Sequence, residues 1–136
     1  MFGLPEVALL LRLTLLPGGP DLEAIAQQAS AALLHHDAAT VIGQSPRLLV
    51  QLPGVAPSGP VPRSQAVALL ESYLHDYEEV AVTVVSVQAT TGSKGIVQLT
   101  RRYRVPGTDD TRSQSILLSY ELSGGIWSLA ELRISG

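Results

Sequence analysis

The chain has 136 residues, 46% of them hydrophobic and 15% charged, with a formal net charge of -3. That length suits one self-sufficient core and that balance excludes a disordered chain, while the weak acidic charge leaves no basic footprint for nucleic acid or a polybasic membrane patch. Cysteine is absent, which excludes disulfides, thiolate catalysis and zinc–thiolate sites. Among the basic residues only Lys94 is lysine, and with abundant Ala, Leu and Gly this arginine bias suits a GC-rich bacterial coding sequence.

Residues 1–20 form a separate segment. Val7–Leu11 and Leu13–Leu16 are apolar, interrupted by Arg12 and closed by Pro17-Gly18-Gly19-Pro20. The segment is signal-like in hydropathy, but it lacks a basic start and a small-residue cleavage site, and it is too short and too charged to span a bilayer. Two readings stay open: a signal-derived leader, which makes the protein periplasmic or secreted, or a packed N-terminal element of a cytoplasmic protein. Residues 21–136 read as one domain.

Pro20-Asp21 signals a helix start, with Asp21 as cap and Glu23 near the positive end of the helix dipole. Leu22, Ile25, Ala29, Ala32, Leu33 and His36 then fall on one stripe at helical spacing. Ala38 to Pro46 reads as a turn or short helical piece, and Arg47–Leu52 as a brief strand. Gly54 to Pro62 holds so many prolines and glycines that it reads as a loop. A second helix follows from about Arg63 to Asp76, with Ala66, Leu69, Leu70, Tyr73, Leu74 and Tyr77 on one face.

Beyond this helix the hydrophobic period changes from 3.6 to 2. Strands are predicted at Val80–Ala89, Ile96–Val105, Ser113–Leu122 and Trp127–Ile134, joined by turn-rich connections of hairpin length. Val80, Val82 and Val84 alternate in one phase and Val85, Val87 and Ala89 in the other, which predicts a bulge near Val84-Val85 and a bent sheet. The reading is therefore α+β: two amphipathic helices packed on a bent antiparallel sheet of about four main strands.

Helix, strand, helix and bent meander, in that order, resemble the NTF2-like (cystatin-like α+β) cone. Arg63-Ser64-Gln65-Ala66 and the following apolar helix, with the terminal Glu131-Leu132-Arg133-Ile134, are similar to signatures of the small bacterial DUF4783-type domains of unknown function. Pro62 departs from the Ser that these domains tend to carry before the basic residue, since Pro cannot cap with a side-chain oxygen. The resemblance implies a pocket between the helices and the concave sheet face, pairing of two copies through the sheet, and, by analogy, export. Relatives of this fold include isomerases, dehydratases, cyclases and ligand-binding modules, so the fold alone does not choose a function.

An enzyme of that kind needs a pocket carboxylate or His–Asp pair to move a proton, and a donor such as Tyr for the oxyanion. Alternation points Val97, Leu99, Arg101, Tyr103 and Val105 inward from one strand and Ile116, Leu118, Tyr120 and Leu122 from the next, without a carboxylate or His. On the last strand, Ile126, Ser128, Ala130, Leu132 and Ile134 form the more apolar face, so Glu131 is expected outside. The pocket candidates are Tyr73, Tyr77, Arg101, Tyr103 and Tyr120. Arg101 suits an anionic ligand, and snorkelling to solvent is the commoner fate of such a residue; the tyrosines equally suit an amphipathic core.

His35-His36 and His75-Asp76 lack metal-ligand spacing, and Asp76, Glu78, Glu79, Asp109 and Asp110 read as solvated helix-end and turn residues. Arg102 and Arg104 belong to the outer face, with Glu121 as a cross-strand partner. No catalytic residue, metal or cofactor is assigned. The sequence reading is a non-catalytic module that binds a small apolar or weakly anionic ligand, or forms a homodimer through a patch around Val85, Val87 and Leu117. Its alternatives are a ketosteroid-isomerase or cyclase-like enzyme using a carboxylate such as Asp37 or Glu71, and an exported envelope component.

Overall fold

The computed structural model describes residues 21–90 and 92–136; the expectations for residues 1–20 lie outside them. Three helices pack on one six-stranded sheet. The order is α1 (Leu22–Leu34), α2 (Ala38–Ile42), β1 (Arg47–Gln51), β2 (Val61–Pro62), α3 (Arg63–Leu74), β3 (Glu78–Ala89), β4 (Lys94–Arg104), β5 (Thr111–Ser123) and β6 (Ile126–Ser135). Strands run β2-β1-β6-β5-β4-β3 across the sheet, antiparallel except where β1 lies parallel to β6. The sheet is therefore mixed and has six strands rather than four. The brief strand at 47–51 joins its edge, and two residues of the expected proline-rich loop pair with it as β2.

Asp21 caps α1 through a 2.8 Å bond from Ala24 N–H, and α1 buries Leu22, Ala26, Ala29, Ser30, Ala32 and Leu33. Ser30, expected off the apolar stripe, is carried inward because its hydroxyl donates to Val82 O at 2.9 Å. Pro62 provides no side-chain cap to α3, as the sequence implies. Instead Arg63 ties the helix start to its surroundings: its N–H donates to Pro46 O at 3.0 Å and its Nε to Gly43 O. Residues Ala66, Leu70 and Leu74 bury the core face of α3.

The sheet carries three bulges, and they decide which side chains enter the core. On β3, Val84 pairs with Leu99 and Ser86 with Gln98, so Val85 is the extra residue where the sequence places a bulge. A second, unexpected bulge lies at Val80, because Glu79 pairs with Tyr103 and Ala81 with Arg102. Each extra residue reverses the alternation that a regular strand would keep. Glu79 is thereby on the same face as Val82, Val84 and Val87, turned toward the core, while Val80 and Val85 point out. The expected patch of Val85, Val87 and Leu117 is accordingly split: Val85 is exposed, Val87 packs on the core, and Leu117 is half-buried on the outer face.

A third bulge at Ala130 changes the phase of β6, since Ser119 pairs with Glu131 and Tyr120 with Leu129. Leu129, Leu132 and Ile134 are buried and Ile126 is 61% exposed, so the inward face is not the single alternating set that the sequence suggests. The outer face carries exposed ion pairs, Arg104 with Glu78 and Lys94 with Glu121; Glu121 pairs with Lys94 rather than with Arg102 or Arg104. No helix among the described residues is long and apolar enough to cross a membrane.

Asp37 caps α2. The Thr40 hydroxyl donates to its Oδ2 at 2.6 Å and Thr40 N–H to its Oδ1 at 3.3 Å, and these bonds hold the carboxyl below its ordinary value of 3.8. A carboxyl lowered in the folded state favours folding at neutral pH, and that contribution is lost as pH falls through the depressed folded-state value. Thr40→Val is expected to raise the Asp37 midpoint toward 3.8 in an NMR pH titration; an unmoved midpoint would assign the lowering to another cause.

Candidate functional site

Four of the five residues singled out from the sequence meet inside the cone. Arg101 is fully buried, and its Cζ lies 4.4 Å from the ring centre of Tyr103, 5.2 Å from Tyr77 and 5.6 Å from Tyr73. Stacked rings favour a guanidinium electrostatically, more so when water is excluded. The rings also support each other, with Tyr77 edge-on to Tyr103 at 4.9 Å and tilted to Tyr73 at 5.7 Å.

A buried cation still requires a counter-charge. Glu79 supplies it, with a side chain only 2% exposed. Arg101 Nε donates to Glu79 Oε1 at 2.8 Å and Oε2 at 3.0 Å, while Nη2 donates to Oε2. The remaining arm of the fork, Nη1, donates to Gln114 Oε1 at 2.7 Å, and Gln114 Nε2 donates to the Tyr73 hydroxyl at 2.9 Å. Glu79 is thus not the solvated residue that its place after a helix suggests. The Val80 bulge turns it inward, opposite Arg101.

His36 closes the network from α1. Its Nε2 lies 3.1 Å from Glu79 Oε2, within hydrogen-bond distance. His36 sits at φ 58, the one non-glycine residue in the left-handed region among the described residues. The backbone around it is a Schellman end: His36 N–H donates to Leu33 O at 3.1 Å and Asp37 N–H to Ala32 O at 2.8 Å. Glycine normally fills this position because a Cβ is disfavoured there. Here an imidazole that reaches the buried carboxylate takes its place.

Tyr120, the fifth candidate, lies apart from this cluster. It lines a cleft of about 230 Å³ between α1, the α2–β1 loop and the β5–β6 hairpin, together with Ile25, Ser45, Trp127 and Leu129. Burial pushes the Tyr120 phenol well above its ordinary value, so it stays protonated. Ser45 was not anticipated. It is 3% exposed, and its Oγ is the only buried side-chain polar atom without a hydrogen-bond partner among the described residues. No sequence signal distinguishes it from other loop serines. No Asp, Glu, Lys, Arg or His lines this cleft.

The remaining candidates are scattered. Asp37 is the α2 cap, Glu71 is exposed on α3, and His75 makes an exposed 3.1 Å contact with Asp76. No group of three or more His, Cys, Asp or Glu side chains among the described residues is placed to hold a metal ion.

With this geometry defined, the fold is identified by comparison with solved structures. A DUF4783 family protein from Bacteroides uniformis matches at TM-score 0.67 and 7% identity, over 80% of this chain and 94% of its own. A ketosteroid isomerase-like protein from Erwinia carotovora atroseptica matches at TM-score 0.68 and 18% identity, over 84% and 92%. An NTF2-like protein with a cystatin-like fold from Novosphingobium aromaticivorans matches at TM-score 0.61 and 12% identity, over 98% and 90%. The chain therefore has the NTF2-like α+β cone fold, with DUF4783 proteins among its structural neighbours. No family model and no curated protein matches it.

Removing Glu79 alone leaves an uncompensated buried cation, which typically costs about 3–5 kcal/mol, whereas replacing both charges with apolar groups is often close to neutral. Glu79→Leu is expected to fall in that range by urea unfolding, with Arg101→Met in the same chain recovering most of the loss; simple additivity of the two substitutions would refute the pairing. At the helix end, His36→Gly is expected to be more stable than His36→Ala by about 1 kcal/mol, since both lose the imidazole and only Gly suits the left-handed backbone.

Proposed function

We propose that this chain is a non-catalytic NTF2-like module that binds a small ligand in the cleft beneath Tyr120 and Trp127. The observation that carries this reading is the contrast between two polar sites. Within the cone, the fork of Arg101 is occupied by Glu79 and Gln114, and Gln114 is in turn held to Tyr73. The Glu79 carboxylate is thereby committed to the guanidinium on one side and the His36 imidazole on the other, and each guanidinium nitrogen already has a protein partner. In the cleft, by contrast, the polar residues Gln28, Gln44 and Ser128 stand among apolar walls that include Ile25, Val41, Trp127 and Leu129. Small-ligand sites are typically clefts of this kind, mostly apolar with a few polar groups that fix orientation.

The alternative is an enzyme of the ketosteroid-isomerase or cyclase kind. It is favoured by the resemblance to a ketosteroid isomerase-like protein and by the presence of an interior carboxylate, Glu79, beside Tyr103. The ion pair with Arg101 argues against it, because a base for carbon acids needs an uncommitted carboxylate. A homodimer through the outer sheet face has less support than the ligand reading, since Val87 is withdrawn into the core and leaves Val85 without its expected neighbour.

Trp127, the single tryptophan, lines the cleft and provides the assay. In a screen of small apolar compounds, binders are expected to shift Trp127 emission and to compete with one another, without being chemically changed. Isomerisation of a β,γ-unsaturated cyclic ketone above the uncatalysed rate, abolished by Glu79→Gln, would replace this reading with the enzyme.

A further inference from the structure

We infer that the apolar segment Val7–Leu16 of this same chain docks on the cleft beside Trp127, as a tethered cover that any ligand of the cleft must displace. The inference goes beyond the ligand-binding reading and stands without it. Between Val7 and Leu16 every residue is apolar except Arg12 and Thr14. In the cleft, the polar Gln28, Thr40, Gln44 and Ser128 are exposed, while Val41 and Leu129 are buried and Ile25 and Trp127 half-buried. A polar rim about an apolar floor is the anatomy of a surface that receives a protein segment. Ile126, on the same lining, is 61% exposed, more than any other large hydrophobic side chain among the described residues.

The point of attachment selects this occupant. Asp21 caps α1, and the adjoining Leu22 meets Trp127 over Gly95: a Cβ added to Gly95 would lie 2.5 Å from Leu22 Cδ2 and 3.1 Å from Trp127 Cζ3. Ile25, about one turn further along α1, already lines the cleft. Only Pro17-Gly18-Gly19-Pro20 stand between Leu16 and the cap. At full extension this connection spans about 18 Å, so the apolar run begins within reach of the cleft. A tether this short gives a local concentration on the order of millimolar, far above that of a second copy in dilute solution. The cleft, about 230 Å³, has room for a few side chains of the segment, and its neighbours then lie over Ile126. No charged side chain lines the cleft to favour a charged partner instead.

Trp127 emission tests the inference in the full chain and in its full-length variant Leu9→Ser/Leu11→Ser/Leu13→Ser, whose substitutions lie outside residues 21–136. Each chain is quenched with acrylamide and titrated with benzyl alcohol, excited where the alcohol does not absorb. With the cleft covered in about nine-tenths of unmodified molecules, the variant is expected to bind benzyl alcohol about tenfold more tightly and to be quenched about twofold or more strongly. Both differences are expected to be independent of protein concentration. Equal quenching of the two chains would overturn the inference and leave the ligand-binding reading intact. A quenching difference accompanied by equal affinity for benzyl alcohol would place the segment away from the cleft, and a difference seen only at high protein concentration would assign the cover to a second copy; either would overturn it. A concentration-independent quenching difference with no binding of benzyl alcohol to either chain would uphold the docking and count against the ligand reading alone.

Discussion

The buried pair of Arg101 and Glu79 is the constraint around which the rest of the domain is arranged. A guanidinium without solvent access must have a counter-charge and must have its donors filled, and each of these needs recruits a different element. The counter-charge comes from β3 and depends on the bulge at Val80. A further donor, on Nη1, reaches Gln114 on β5, which holds Tyr73 of α3. The second oxygen of Glu79 also receives His36 from the end of α1, across 43 positions in sequence. One ion pair thus ties both long helices to three strands, so helix placement and strand register are fixed by the same set of atoms.

That arrangement has a consequence for function. The interior of an NTF2-like cone is where the fold offers a pocket, and in this chain His36, Glu79, Arg101, Gln114 and Tyr73 are bonded to one another there. The three tyrosines that look like pocket donors in the sequence surround Arg101 instead. An open cleft lies instead beside the β5–β6 hairpin. Sharing a fold with proteins at 7% to 18% identity brings a scaffold, and the chemistry has to be argued from the side chains of this chain.

Much of the scaffold was legible in the sequence because periodicity reports burial directly. The helix faces, the inward residues of β4 and β5, and the bulge at Val84-Val85 all follow from where apolar residues recur. The parallel contact of β1 with β6 was not legible, since a five-residue strand carries no record of its distant partner. The Val80 bulge was concealed for a different reason: Val80 continues the alternation of Val82 and Val84, so pattern alone sends Glu79 outward. The signal that could have located Glu79 is electrostatic. An inward Arg101 demands a carboxylate within reach, and Glu79 lies on the adjoining strand one bulge away from the correct face. Gln114 could have been found in the same way, as the polar residue one alternation before Ile116. Ser45 left no trace, because an unpartnered hydroxyl is a property of the folded surroundings alone.

The central claim is that the cone interior is closed while ligand enters at the Trp127 cleft, and NMR of the two side-chain N–H groups tests it most directly. In a titration of the 15N-labelled full chain with benzyl alcohol, the Arg101 Nε–H resonance is expected to exchange slowly with solvent and to stay in place, while the Trp127 indole N–H resonance shifts with ligand concentration. An Arg101 Nε–H that exchanges rapidly, or that shifts with the ligand while Trp127 does not, would contradict the account.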